Sequence, residues 1–186
     1  MQWIVHGERI LYDSAWVRLA LVDVEVPGGA RFDHHVVRSP RHAAGTVVID
    51  AERGVLLLWR HRFITQTWGW EVPAGAIDEG ETPREAAERE ALEETGWRPG
   101  PLTHLISYHP NNGQADVTFH LFRAEGATYE GEPTDPSESE RIEWVPWLAV
   151  REHIAGGRVT DGLSLTALLY VIASGRGHFT PLRTDW

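Results

Sequence analysis

Three glutamates, Glu90, Glu93 and Glu94, are spaced to share one side of a helix. At about 100° per residue they fall within a single arc, with the small Ala86 between them. Arg89 stands beside the arc and can orient and partly neutralise it. A solvated acidic face is the ordinary fate of a glutamate-rich helix. Here, however, like charges three and four residues apart repel, and Glu93 and Glu94 occupy the last turns, where the helix dipole favours cations. A bound divalent cation would reverse both penalties. Hard carboxylate oxygens gathered in this way suit Mg²⁺ or Mn²⁺ better than zinc.

The helix that carries them is delimited by its own residues. Thr82 suits the N-cap, Pro83 the first helical position, Glu85 completes a capping box with Thr82, and Gly96 suits the stop; the spacing predicts a helix over 83–95. Ala87, Ala91 and Thr95 lie on the neighbouring arc and can pack on a sheet. Around it, residues 8–38 read as extended hairpin segments turned at Pro27-Gly28-Gly29. Ala44–Asp50 and Gly54–Trp59 read as a second hairpin of central core strands. Strands are expected over 102–108 and 117–123, separated by the turn formers Pro110-Asn111-Asn112-Gly113. A polar loop over 125–138, a strand over 141–145 and helices over 147–154 and 163–173 follow. The tail 175–186 reads as weakly structured.

Composition narrows the function classes. The chain has 186 residues, 17 basic against 27 acidic, a net charge of −10 and no cysteine. That charge has the wrong sign for neutralising a polymeric nucleic-acid backbone. Every basic residue is Arg, which removes Schiff-base lysine chemistry and a phosphate loop ending in Gly-Lys. Without cysteine there is no thiolate zinc site, disulfide framework or cysteine nucleophile. No apolar run approaches the ~20 residues needed to span a bilayer, and no export signal is evident, so a cytoplasmic location is expected.

From Gly75 the chain runs five residues to Glu81, seven to Arg89-Glu90-Ala91, and on through Glu93-Glu94 to Gly96-Trp97. This spacing resembles the Nudix box, and chance would reproduce it at a frequency on the order of 10⁻⁶. Trp97 departs from the usual aliphatic residue. The resemblance, covering roughly residues 43–172, implies an α/β class fold, an α/β/α sandwich with a mixed sheet, and metal-dependent hydrolysis of a nucleoside diphosphate linked to another moiety. It implies Glu90 and Glu94 as principal metal ligands, Glu93 as a further ligand, the carbonyl at Gly75 as a possible backbone ligand, and Glu81 and Arg89 as residues that support them. The segment Trp70–Glu81 and the N-terminal extension are similar to the ADP-ribose pyrophosphatase branch, which implies ADP-ribose or a nucleotide sugar as substrate. His109–Gln114 stands where that branch commonly carries Pro-Gly. A dinucleoside polyphosphate, coenzyme A, an oxidised nucleoside triphosphate or a non-catalytic sensing role are the alternatives.

The same branch often takes a general base from an acidic loop before the last strand. Glu140 best fits that place, with Glu138 and Glu90 as competitors. Arg62 and Trp70 are expected near substrate, because phosphate pairing and stacking need such side chains. His34 and His35, adjacent on a strand, point to opposite faces. Residues 1–42 are expected to form a β extension that makes a homodimer, since Trp16, Val17, Leu19, Leu21 and Val24 exceed what a lone hairpin can bury. Residues 43–174 are expected to form the catalytic domain.

Overall fold

The computed structural model describes residues 1–134 and 138–174; the expected weak tail over 175–186 and part of the acidic loop lie outside them. The chain divides into two compact units. The larger comprises Ala43–Ser107 and the residues from His120 on; the smaller comprises Met1–His42 with Tyr108–Phe119.

In the smaller unit, β1 (Ile4–Asp13), β2 (Arg18–Glu25) and β3 (Arg31–Arg38) form an antiparallel three-stranded sheet. The first strand begins four residues earlier than the sequence suggested. The segment 108–119 joins this sheet through a Val37–Ala115 bridge, an Arg38–Asp116 ion pair at 3.3 Å and a bond from His34 to the Gly113 carbonyl at 3.0 Å.

The larger unit is built on β4 (Ala43–Asp50), β5 (Gly54–Arg62), β6 (Thr67–Glu71), β7 (Ala74–Ala76), α1 (Pro83–Thr95), β8 (Trp97–Pro99), β9 (Leu102–Tyr108), β10 (Phe119–Glu125), β11 (Ala127–Tyr129), β12 (Arg141–Val145), α2 (Trp147–Ala155) and α3 (Gly162–Ala173). Seven of these strands make one sheet, in the order β12-β5-β4-β10-β9, with β6 on β5 and β7 on β4. Strand β4 is covered on both faces. Thr46 bonds through its hydroxyl to the Ala87 carbonyl of α1, and its neighbour Gly45 lies so close to Leu163 of α3 that a methyl group there would collide. Neighbouring strand residues point to opposite faces, so α1 and α3 lie on opposite sides of the sheet. The fold is therefore an α/β/α sandwich. Its α1 side packs Ala86 and Ala87 against Ala44, Leu102, Phe122 and Ala124.

Four short strands went unrecognised in the sequence. β6 lies in the Trp-rich stretch, β7 spans three residues inside the Ala-Gly run, and β8 and β11 pair only with each other. Three-residue segments carry too little periodicity to register. No helix among the described residues is long and apolar enough to cross a membrane.

Candidate active site

Helix α1 has the ends its residues predict. The Thr82 side chain accepts from the Glu85 amide and Glu85 reciprocates at the Thr82 amide, while Gly96 closes the helix at φ 74°, a left-handed conformation that favours glycine. The buried side is Ala86, Ala87, Ala91, Glu94 and Thr95, so the helix lies low over β4, β7 and β8. Small residues make that close approach possible and bring the glutamate arc down to the sheet. Gly75 on β7 sits directly beneath Glu90: a β-carbon there would land on the Glu90 carboxylate.

Two arginines organise the carboxylates. Arg89 reaches Glu81 through Nε and Nη2 at 2.9 Å each, Glu90 at 2.8 Å and Glu93 at 3.0 Å, and donates to the Ala76 carbonyl at 2.9 Å. Arg60, only 4% exposed, donates to Glu94 at 2.8 Å, to the Glu138 carboxylate at 2.5 Å and to the Glu138 carbonyl at 2.9 Å. The second oxygen of Glu94 accepts the Ala74 amide at 2.9 Å. Desolvation pushes the Glu94 carboxyl up to about 8 against the pull of Arg60, and burial likewise raises Glu90 against the pull of Arg89.

Strand register explains which side chains meet. In the antiparallel β5–β6 pair, Leu58 faces Glu71, Trp59 faces Trp70 and His61 faces Trp68. Residues of one parity, Arg60, Arg62 and Glu71, share the face that bears Glu94; Arg62 grips Glu71 at 3.0 and 2.5 Å. Residues of the other parity build an aromatic stack on the opposite face. Trp70 stacks on His153 of α2 at 5.7 Å and leans on Trp59 at 5.2 Å, with Arg141 over both indoles.

The structure thus brings Glu90, Glu93, Glu94, Arg89 and Gly75 together and separates two other candidates from them. Trp70 is 4% exposed and faces away from the glutamates, because the period of two puts it opposite Glu71. Its indole is already covered, so the expectation that it stacks on substrate is corrected. Glu140 is exposed and, among the described residues, is tied by its amide alone, to the Trp59 carbonyl at 2.9 Å; Glu138 is the loop residue that joins Arg60 and Glu94. Arg62 lines an open cavity beside Glu71. Sequence reasoning passed over Arg60 and Glu71. The available signal was a charge closing the apolar run Val55–Trp59 on the core-facing parity, a placement that only a buried partner tolerates.

The donor set fits a hard divalent cation in kind. Glu90 and Glu94 are recessed carboxylates one turn apart, and burial disfavours both charges without nearby cations. Among the described residues no three acidic or imidazole groups converge at metal-binding distance; the guanidinium groups of Arg60 and Arg89 hold the same oxygens.

Comparison with known proteins agrees with this architecture. The NUDIX domain family model matches residues 39–163. Over 181 residues the chain is 39% identical to the CMP-5'-(N-acetyl-N-hydroxy-3-aminopropyl)phosphonate hydrolase of Streptomyces rubellomurinus, covering 97% of this chain and 87% of that one. It is 30% identical to the ADP-ribose pyrophosphatase of Bacillus subtilis over 72% of this chain and 71% of the relative. A crystal structure of an ADP compounds hydrolase superposes with a TM-score of 0.83 at 21% identity, covering 95% of this chain and 96% of the other. The protein belongs to the Nudix hydrolase family, resembling its ADP-ribose pyrophosphatase branch. It is a pyrophosphohydrolase, an enzyme that cleaves P–O–P linkages with water.

Proposed function

We propose that the protein hydrolyses the pyrophosphate bond of a nucleoside diphosphate linked to another moiety, with ADP-ribose or a nucleotide sugar as the substrate class, in a reaction that depends on Mg²⁺ or Mn²⁺. The observation that carries this reading is the glutamate face of α1, with Glu90 recessed over Gly75, Glu94 buried beside it and Glu93 at its rim. Glu90, Glu93, Glu94 and the Gly75 carbonyl are the groups that would hold the cations. Bound there, divalent cations neutralise pyrophosphate charge and make water more acidic. Arg89 fixes the side chains of Glu90 and Glu93 and limits their mutual repulsion. Arg62, half-exposed and bonded to Glu71 through Nε and Nη2, pairs with a phosphate oxygen through its remaining Nη1 in this reading. Glu138, at the end of the acidic loop, accepts the proton of the attacking water once it leaves Arg60. No covalent intermediate is required.

A second reading rests on one observation, the 39% identity to a CMP-linked phosphonate hydrolase over nearly the whole chain. A phosphate–phosphonate anhydride is also a P–O–P linkage, so the same carboxylates serve, and only the groups at the two ends differ. Turnover of ADP-ribose, ADP- and UDP-sugars and CMP-linked alkylphosphonates, each with Mg²⁺ or Mn²⁺, distinguishes the two. Cleavage of the ADP-ribose and sugar conjugates supports the first reading; cleavage confined to CMP-linked phosphonates transfers the assignment to the second. Full activity in excess EDTA would refute the metal requirement.

A further inference from the structure

The turn Phe63–Gln66 between β5 and β6 and the segment Thr160–Gly162 ahead of α3 border a cavity of about 490 Å³, a size typical of small-molecule sites. Its lining includes Phe63, Ile64 and three threonines, Thr65, Thr67 and Thr160. Its inner end is the Arg62–Glu71 pair. The turn is held in one shape: Gln66 adopts φ 55°, and its side-chain amide donates to the Phe63 carbonyl at 2.5 Å. Phe63 is 75% and Ile64 83% exposed, two adjacent apolar side chains with nothing over them among the described residues.

The charges show which part of a substrate belongs here. Arg62 spends Nε and Nη2 on Glu71, and Asp161 spends one oxygen on the Ser164 amide at 2.7 Å. With one arginine against two carboxylates, the lining repels a second anionic group. Glu71 lies 3.9 Å from Arg60, which holds Glu94 at 2.8 Å. The inner end is therefore one guanidinium away from the glutamate helix. A nucleobase is held best by flat aromatic walls; the lining offers one phenyl, Phe63, beside the aliphatic Ile64, and the His61 ring is turned onto Trp68 at 5.2 Å.

We propose that this cavity holds the organic group on the phosphorus distal to the nucleoside, and that this group is uncharged, largely aliphatic and carries a hydroxyl or amide. The assignment rests on the pyrophosphohydrolase reading of the glutamate site and, for the nature of the distal group, on its second form, the CMP-linked phosphonate, rather than on ADP-ribose or a nucleotide sugar. Its test uses the full chain with Mg²⁺ and two measurements. Calorimetry follows binding of 3-acetamidopropylphosphonate. Turnover compares CMP-linked 3-acetamidopropylphosphonate with CMP-linked methylphosphonate, and with the adenosine counterparts. Phe63→Ala and Ile64→Ser, both on an exposed turn, each weaken phosphonate binding about tenfold and reduce the preference for the longer chain by a similar factor, leaving the preference between nucleosides in place. Failure of the intact chain to bind the phosphonate, binding indifferent to both variants, or a changed nucleoside preference would overturn the proposal. Binding that depends on Phe63 without any turnover removes the proposed function and leaves the cavity assignment standing; turnover indifferent to Phe63 does the reverse.

Discussion

Glu94 accepts hydrogen bonds at both carboxylate oxygens, from Arg60 and from the Ala74 amide, so one side chain serves the sheet and the proposed metal site together. Glu94→Gln keeps the shape but leaves only one acceptor, and its amide nitrogen must then face a donor. The expected cost is about 1–3 kcal/mol of stability by urea unfolding, from one unsatisfied buried polar group. Steady-state turnover with Mg²⁺ is expected to fall by several orders of magnitude, because a charged ligand is lost. A variant that unfolds at lower urea yet turns over normally would leave Glu94 purely structural. The two loop glutamates separate in the same way. Glu138 reaches Arg60 while Glu140 lies in solvent, so Glu138→Gln is expected to lower kcat by about 10²–10⁴-fold with little change in KM. Glu140→Gln is the paired measurement; a large loss there, with Glu138→Gln near wild type, would restore the assignment made from sequence.

At the scale of elements, α1 works because its contact side is alanine and its underlying strand offers a glycine. A methyl group at position 75 would occupy the space of the Glu90 carboxylate. Gly75→Ala is therefore expected to abolish most activity while the thermal transition moves only slightly, since Glu90 can swing toward solvent; unchanged kcat would mean that its position is immaterial. The helix cap is separable from the chemistry. Thr82→Ala removes the capping box and should cost about 1 kcal/mol in denaturant unfolding. Turnover of the folded fraction should remain near wild type, because Thr82 lies at the far end of the helix from Glu94.

For the molecule as a whole, the smaller unit exposes an unusual amount of apolar surface for a three-stranded sheet. Trp3, Ile4, Val5, Ile10, Leu11, Tyr12, Trp16 and Phe32 are each at least 40% exposed. Only Ala20, Val22 and Val24 of its central strand are buried. Exposed apolar surface of this extent suits association with another chain. We propose a homodimer through it, with a light-scattering mass of twice 20.9 kDa at micromolar protein; a mass of 20.9 kDa would refute this. Trp16→Glu is expected to shift the mass toward the monomer.

Much of the chemistry was legible in the chain because it is written locally. The cap, the stop and the glutamate arc of α1 all lie within 82–96, where helical periodicity alone decides who shares a face. The hydrophobic strands β4 and β5 were legible for the same reason. What depended on pairing was not. Whether Trp70 or Glu71 faced the glutamates turned on a one-residue parity that the register of β6 against β5 settles. Likewise, the choice between Glu138 and Glu140 at Arg60 depends on how the chain enters β12 alongside Trp59. Arg60 itself becomes meaningful only once α1, lying over β4, β7 and β8, offers it Glu94. Local propensity specified the helix and its charges; long-range strand register decided their partners, because a shift of one residue exchanges the two faces of a sheet.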